Sequence, residues 1–262
     1  MNIRLDGKRA LVTGGNSGIG AAIVLGLADA GARVAINFVT HPEAADELVQ
    51  TIKKKGGEAI AVKADVADPA AVAAMFRQID TAWGGLDILI NNAGIDGARA
   101  PGWAADLAAW RKVIEINLFG AFHCAREALQ RMVPQKSGVV LSTTSVHEEI
   151  AWAGYSAYTA SKAAVGMLTK TLAQEAAPHG VRVLAVGPGA IKTSINRAVW
   201  SDPVSLRDLL EKIPLLTEKK FDAAVFCEDP SRIHALIQVF AVNSLRDCAE
   251  IAAELTAELT AE

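Results

Sequence analysis

Short apolar strands alternate with helices from residue 8 to residue 186, and this alternation limits the fold more than any other feature of the sequence. Segments in this order form right-handed β-α-β units, which build a parallel sheet with helices on both faces. We therefore predict an α/β fold, a doubly wound parallel sheet in a single domain. The predicted strands are 8–13, 33–39, 58–66, 86–90, 138–142 and 181–186, and the predicted helices are 21–30, 42–55, 69–83, 106–132 and 158–177.

A glycine-rich turn follows the first predicted strand. Residues 13–20 read TGGNSGIG, with glycines at 14, 18 and 20 in a GxxxGxG spacing rather than GxGxxG. Glycine lets the backbone approach a pyrophosphate, and the free N–H groups at the start of the next helix attract anions. A purely structural tight turn would look similar, but the position between strand and helix favours a nucleotide site. It also makes the predicted fold a three-layer, Rossmann-like one.

Other polar or glycine-rich segments also follow predicted strands. They are Asp65, the NNAG segment at 91–94, Ser145 and the GPG turn at 187–189. In an open parallel sheet, ligands bind beyond the carboxyl ends of the strands. We therefore expect all of these segments to border one ligand cleft.

The end of the second strand usually distinguishes the two nicotinamide cofactors. An acid there binds the ribose diol, whereas an arginine accommodates a 2′-phosphate. Phe38 and Val39 are neither, and Ser17, Thr40 and His41 are neutral or weakly basic. The choice between NAD and NADP therefore stays open.

Tyr158 and Lys162 are four residues apart at the start of a predicted helix, so they share one face. A free phenol titrates near pH ~10, and a nearby cation favours the phenolate. Lowering that pKa to ~7 requires about 4 kcal/mol of stabilisation, which a lysine and a cationic cofactor together can supply. A half-buried tyrosine beside an exposed lysine would show the same spacing.

Asn117 lies within the predicted helix 106–132, where asparagine is mildly unfavourable. A surface asparagine is the simplest explanation. Its neighbours Ile116, Leu118 and Phe119 are apolar, however, so a buried position is the alternative.

Composition excludes several other classes of function. The 262 residues carry a net charge of −3, which gives no reason to expect binding to nucleic acid or to an anionic membrane. Cys124, Cys227 and Cys248 are scattered, so we expect neither a metal site nor a disulfide framework. The chain shows no signal-peptide core and no apolar run of about 18 residues. We expect a soluble, cytoplasmic protein with a small-molecule substrate.

Taken together, these motifs resemble the short-chain dehydrogenase/reductase family in order and spacing, over about residues 5–215. The matching elements are TGGNSGIG at 13–20, NNAG at 91–94, Asn117, Ser145, YTASK at 158–162 and GPGAIKT at 187–193. The resemblance implies NAD or NADP as cofactor, an alcohol/carbonyl substrate and a homo-oligomer, usually a tetramer.

The resemblance also implies a catalytic tetrad. Tyr158 would be the general acid/base, and Lys162 would lower its pKa and hold the nicotinamide ribose. Ser145 would bind the substrate oxygen. Asn117 would position a helix carbonyl and a water that relays protons. The residues expected to contact the cofactor are Gly14, Ser17, Gly18, Ile19, Gly20, Asp65, Val66, Asn91, Ala93, Gly94, Tyr158, Lys162, Pro188, Ile191 and Thr193.

A narrower resemblance points to the bacterial glucose 1-dehydrogenase branch. It is carried by SVHE at 145–148, by GPGAIKTSIN at 187–196 and by Asp96, two residues after NNAG. It implies a sugar pocket in which Asp96 and His147, with Ser145 and Tyr158, contact the substrate, and Asn196 is a further candidate. A solvated Asp96 and a merely polar His147 are the alternative.

After Leu215 the family pattern stops. We predict a dinucleotide-binding and catalytic domain over 1–215 and a divergent C-terminal segment over 216–262, which ends in an Ala- and Glu-rich helix. Because this segment differs from the family, two functions are consistent with the sequence. One is an NAD(P)-dependent alcohol or sugar dehydrogenase. The other is a dinucleotide-binding sensor or scaffold without turnover.

Overall fold

Six parallel strands form one sheet in the order β3-β2-β1-β4-β5-β6. The structure is a computed structural model that describes residues 4–189, 201–204 and 207. All six predicted strands are present, so the predicted fold class is confirmed. The strands are β1 (Arg9–Val12), β2 (Arg33–Phe38), β3 (Ala59–Lys63), β4 (Ile88–Asn91), β5 (Gly138–Thr143) and β6 (Val181–Val186).

Helices connect the strands and cover both faces of the sheet. They are α1 (Gly18–Asp29), α2 (Pro42–Lys54), α3 (Pro69–Trp83), α4 (Leu107–Ile114), α5 (Gly120–Gln135) and α6 (Ser156–Ala176). Single 3₁₀ turns occur at Gly102–Ala104, Val146–Glu148 and Ala177–His179. The helix starts follow local chemistry: the Asp68 side chain caps α3 at Ala70 N, and Asp106 caps α4 at Ala109 N.

The strands are apolar on both faces because helices bury both faces. Successive strand residues alternate between two cores. Ala10 and Val12 pack with α1 and α2 in one core, whereas Leu11 packs with α3, α5 and the end of α6 in the other. A strand that alternated apolar and polar residues would expose one face, so the continuous apolar runs were the correct signal for this fold.

The strand order reverses between β1 and β4. From β1 the chain adds β2 and β3 on one side of the sheet, and from β4 it adds β5 and β6 on the other. The carboxyl ends of these two central strands lead into the glycine-rich turn and the NNAG segment. β5 and β6 end beside them, and pairing continues one residue past β5 through a hydrogen bond from Thr144 N to Val186 O at the end of β6 (2.8 Å). The predicted cleft residues therefore meet at one edge of the sheet, at the usual ligand position in such folds.

One long helix was predicted over 106–132, and here the structure differs. α4 and α5 are separated by a π-helical turn, Glu115–Phe119, in which the N–H of Gly120 bonds to the carbonyl of Glu115. The wider turn contains one extra residue, and such π turns often occur at functional sites. It places Asn117 inside the protein rather than on the helix surface.

Several predictions concern residues outside the described part of the chain. These are the loop and short helices expected over 191–213, apart from the few residues described there, and the C-terminal segment 216–262. The boundary predicted at residue 215 therefore remains a prediction.

Candidate active site

The glycine-rich turn has the conformation that its sequence predicts. Gly14 and Gly18 have φ values of +58° and +52°, in the left-handed region that favours glycine. At Gly20 a Cβ would collide with the carbonyl oxygen of Gly14 and would lie 2.6 Å from Nδ2 of Asn92. The turn is therefore as close to α1 as the backbone allows.

The amino end of α1 has the features of an anion site. Ser17 is the N-cap residue in extended conformation, but its side chain makes no capping hydrogen bond. Its hydroxyl and the first N–H groups of α1 are thus left for another partner. Together with the absent side chains at Gly14 and Gly20, they fit a pyrophosphate group.

Three polar side chains tie the turn to the neighbouring strands. The N–H of Gly14 donates to Oδ1 of Asn37 (3.2 Å), and Nδ2 of Asn92 donates to the carbonyls of Thr13 (3.0 Å) and Gly14 (3.2 Å). Oγ1 of Thr13 accepts from the N–H groups of Asn92 (2.9 Å) and Ala93 (3.0 Å). Sequence reasoning missed these roles. The available signal was Asn37, a polar residue within a buried strand.

The other predicted cofactor residues line the same edge. Nδ2 of Asn91 donates to the carbonyl of Ala121 (3.0 Å), while its buried Oδ1 has no hydrogen-bond partner within the described part of the chain. Asp65 accepts from Ala67 N (3.0 Å), and Val66 is buried. The carbonyl of Pro188 accepts from Val146 N (3.1 Å). Ile191, Thr193 and Asn196 lie outside the described residues.

Lys162 is buried, with 6% of its surface exposed. Its Nζ donates to the carbonyl of Thr143 (2.7 Å) and lies 5.8 Å from the ring centre of Tyr158. Burial disfavours the ammonium ion and lowers the pKa of Lys162 to about 8, although the charge of Glu148 opposes this shift. The lysine is thus not the exposed residue that helical spacing alone allows.

Asn117 is only 2% exposed and connects the chain segments around this lysine. Its Oδ1 accepts from Ile95 N (2.8 Å), and its Nδ2 donates to the carbonyl of Ile95 (2.8 Å) and to Oγ of Ser161 (3.0 Å). A Cβ on Gly94 would lie 3.3 Å from Oδ1 of Asn117 and 3.6 Å from Nζ of Lys162. The amide therefore fixes the NNAG segment against α6, beside the ammonium group.

Ser145 and Tyr158 are the other two members of the predicted tetrad. Ser145 is buried just past β5, and its Oγ accepts from the N–H of His147 (3.2 Å). Burial raises the pKa of Tyr158, hydrogen bonding with Ser145 lowers it, and the charge of Asp96 raises it further. The pKa of Tyr158 is raised overall. Without a cofactor, the phenol is therefore a weaker acid than free tyrosine.

An aromatic stack supports Tyr158 from one side. The His147 ring lies parallel to Trp152 (4.6 Å between centres, 11°), and Trp152 stacks on Tyr155 (3.8 Å, 24°). Trp152 and His147 present their rings edge-on to Tyr158, at 5.9 and 6.4 Å. Nδ1 of His147 bonds to the carbonyl of Ile150 (2.9 Å), so Nδ1 carries the proton and Nε2 is the accepting nitrogen of the neutral ring. No sequence periodicity indicated this stack.

Asp96 is half-buried at one end of a cavity between the loop after β4, α4 and the start of α6. Burial raises the pKa of its carboxyl group, while backbone N–H donors oppose the shift. Most of the lining is apolar, from Ala98, Ala100, Ala109, Trp110 and Val113, and Ser156 adds a hydroxyl group. Asp96 is therefore neither fully solvated nor paired with a described cation.

The burial of Lys162 predicts a pH-dependent stability. The pKa of Lys162 is about 8 in the folded protein, below the ordinary 10.5, so between these values the unfolded chain binds more protons. Stability from this group therefore rises with pH, by about 2–3 kcal/mol from pH 7 to pH 10. Urea unfolding of the wild type and Lys162→Met across this range measures the effect, because the variant lacks the titrating group. Lys170→Met, on the exposed side of α6, is the control. Parallel curves for the wild type and Lys162→Met would contradict the account.

Comparison with known proteins decides the family. The family model described as "short chain dehydrogenase" matches residues 8–203. The chain belongs to the short chain dehydrogenase family. The resemblance seen in its motifs is thereby confirmed, and the family is one of NAD- or NADP-dependent oxidoreductases.

Proteins similar to this chain carry names that indicate different substrates. 3β-Hydroxysteroid dehydrogenase 1 of Eggerthella lenta is 42% identical over 212 residues, which are 80% of this chain and 81% of the relative. The 3-oxoacyl-[acyl-carrier-protein] reductase FabG of Staphylococcus aureus is 39% identical over 79% of this chain and 83% of its own. A gluconate 5-dehydrogenase from Burkholderia cenocepacia, solved with NADP and tartrate, superposes with a TM-score of 0.82 and 31% identity, covering 99% and 92% of the two chains.

Family membership makes NAD or NADP the expected cofactor, and the residues described above fit it. The glycines with positive φ, the Ser17 hydroxyl that makes no capping hydrogen bond and the Asn91 oxygen that has no described partner all lie at the same sheet edge. Within the described ranges no helix is long and apolar enough to cross a membrane. The same ranges contain no cluster of three or more His, Cys, Asp or Glu side chains arranged to hold a metal ion.

Proposed function

We propose that this chain is a dehydrogenase that interconverts a secondary alcohol and its ketone with NAD or NADP. The observation that carries the proposal is the convergence of four side chains. Ser145 is near enough to Tyr158 to lower the pKa of its phenol, and Nζ of Lys162 lies 5.8 Å from the centre of the same ring, next to the Gly94 segment that Asn117 holds. A purely structural group would not need a buried lysine and a buried serine around one phenol.

The bound cofactor supplies or accepts the hydride. The glycine-rich turn and the amino end of α1 would bind its pyrophosphate, and Asp65, Val66 and Asn91 would border the adenosine half. Pro188, with Ile191 and Thr193, would border the nicotinamide half. The absence of an acid at the end of β2 leaves the choice of NAD or NADP to measurement.

Tyr158 would donate its phenol proton to the carbonyl oxygen in reduction and accept it in oxidation. Ser145 would donate a hydrogen bond to the same oxygen and stabilise charge as it develops. Lys162 would favour the phenolate by its charge. Burial raises the pKa of Tyr158 in the protein alone. Lowering that pKa towards neutrality would therefore require Lys162 in its cationic form together with the positive charge of an oxidised cofactor.

Polar groups near Tyr158 favour a hydroxylated substrate such as a sugar, with glucose as the example. The half-buried carboxyl group of Asp96 and Nε2 of His147 would accept hydrogen bonds from hydroxyl groups. The solved neighbour named as a gluconate 5-dehydrogenase supports a sugar-like class.

The apolar lining of the neighbouring cavity favours a second substrate class, alicyclic alcohols such as sterols. Alanine, tryptophan and valine side chains cannot satisfy many sugar hydroxyl groups. The relative named as a 3β-hydroxysteroid dehydrogenase supports this alternative.

Absorbance of reduced nicotinamide tests the function and discriminates the substrates. Purified protein with NAD or NADP is assayed with glucose, gluconate, a 3-hydroxysteroid and simple secondary alcohols. Growth of the band with one of them establishes the dehydrogenase and its class. Demonstrable cofactor binding without turnover on any substrate would instead favour a sensor or scaffold without turnover.

We further propose that residues 1–215 form the catalytic domain.

We also propose that the protein is a homo-oligomer, with a tetramer as the family-based expectation. Large apolar side chains are exposed on neighbouring elements, including Phe119 (50%), Phe122 (39%) and Met167 (62%). A second copy would remove them from water. Light scattering should therefore give a mass at least twice 27.5 kDa. Phe122→Glu should lower that mass, and a monomeric wild type would contradict the proposal.

A further inference from the structure

Glu148 has a buried carboxylate oxygen next to the predicted catalytic residues. It ends the 3₁₀ turn that begins just after Ser145, and its carboxylate packs against α6. A Cβ on Gly166 would lie 3.2 Å from its Oε2 and 3.6 Å from its Oε1. Oε2 is buried and lacks a hydrogen-bond partner among the described residues. A buried carboxylate oxygen is costly unless a nearby charge compensates it.

Lys162 is the cation positioned to compensate this carboxylate. Lys162 and Gly166 are both buried and lie one helical turn apart, so they share the face of α6 that Glu148 covers. The charge of Glu148 raises the pKa of Lys162, against the larger effect of burial. Glycine at 166 is what allows the carboxylate to approach, because any side chain there would press against it.

The other charged or titratable groups around Lys162 have different positions. Tyr158 shares α6 with it, and His147 lies in the same 3₁₀ turn as Glu148 with its ring against Trp152. Asp96 comes from the loop after β4, and its charge acts on Tyr158. Among the described residues, the hydrogen bond of Lys162 goes to a neutral group, the carbonyl of Thr143 (2.7 Å), and the Gly94 segment beside Nζ is uncharged.

We propose that Glu148 is a positioning residue that keeps Lys162 cationic around neutral pH. It would thereby set the pH range over which Lys162 can act on Tyr158. The proposal rests on the proposed function for its consequence in catalysis, but the charge state of Lys162 can be measured without turnover. Only a cationic lysine favours the phenolate, so a neutral Lys162 would leave Tyr158 with a raised pKa.

The first test follows Lys162 directly by NMR in cofactor-free protein. The protein is labelled with ¹³C-lysine, and the Cε resonance of Lys162 is assigned by its loss in Lys162→Arg. In Glu148→Gln its titration midpoint should fall by about half a pH unit or more. Glu149→Gln, the exposed neighbouring glutamate, should leave the midpoint unchanged. Glu148→Asp keeps the charge and should lie between the wild type and Glu148→Gln, and it replaces the glutamine variant if that one does not fold.

Equal midpoints in the wild type and in Glu148→Gln would overturn the proposal, as would an equal shift in Glu149→Gln.

The second test measures kcat/KM for ketone reduction as a function of pH. The alkaline limb should move to lower pH in Glu148→Gln and stay in place in Glu149→Gln. A uniform loss at every pH would indicate a merely structural role and would also overturn it. If the wild type shows no turnover, the proposed function fails while the NMR titration still decides the role of Glu148.

Discussion

Replacing Tyr158 with phenylalanine is expected to lower turnover by about 10²–10⁴-fold, the usual contribution of a general acid/base. The substitution removes one oxygen atom, so the edge-on contacts of the ring with Trp152 and His147 remain. Affinity for NAD or NADP should stay close to that of the wild type, because the turn and the start of α1 are untouched. Initial rates and a cofactor fluorescence titration measure the two quantities.

The second tyrosine of the chain provides a matched control. Tyr155→Phe removes a phenol hydroxyl from the same segment but keeps the stack on Trp152. Its turnover should remain within the same order of magnitude as that of the wild type. Undiminished activity in Tyr158→Phe would remove Tyr158 from the proposed proton transfer. Equal losses in both variants would point to disturbed packing instead.

Gly20→Ala is expected to have the second-largest effect. The new methyl group would meet the carbonyl of Gly14 and Nδ2 of Asn92, the donor that joins the turn to the segment after β4. Overpacking of this kind costs about 1–3 kcal/mol of stability. Displacing the turn should also weaken cofactor binding by about tenfold or more, since each 1.4 kcal/mol is a factor of ten. Urea unfolding and cofactor titration measure both effects.

Gly102→Ala is the control for this change, because no atom lies within 4 Å of the added Cβ. It should leave stability and cofactor affinity unchanged. If Gly20→Ala bound the cofactor as well as Gly102→Ala does, the glycine-rich turn would not be the pyrophosphate site.

The sequence was most informative where local pattern determines structure. Continuous apolar runs predicted β5 and β6 to within one residue, because strands buried on both faces must be apolar throughout. The glycines predicted a tight turn between β1 and α1, and Gly14 and Gly18 have the positive φ values there that other residues adopt only under strain. Both signals depend only on residue types within a few positions of each other, so they can be recognised in the sequence.

Features that depend on distant neighbours were not predictable. The bonds from Asn37 and Asn92 to the turn exist because β2 and β4 flank β1, which only the assembled sheet shows. The π turn around Asn117 shifts a single backbone hydrogen bond and has no compositional signature. Helical spacing likewise could not show that Lys162 is buried, or that Glu148 packs against the same face of α6.

Transfer of deuterium tests the central claim most directly. The protein is incubated with a ketone of the class identified by the absorbance assay and with cofactor carrying deuterium at both positions of C4 of the reduced nicotinamide. The product alcohol is then analysed by mass spectrometry. The account predicts one deuterium on the carbinol carbon, and about 10²–10⁴-fold slower formation of this labelled alcohol in Tyr158→Phe. An alcohol without deuterium at that carbon, or no alcohol from any ketone despite bound cofactor, would contradict it.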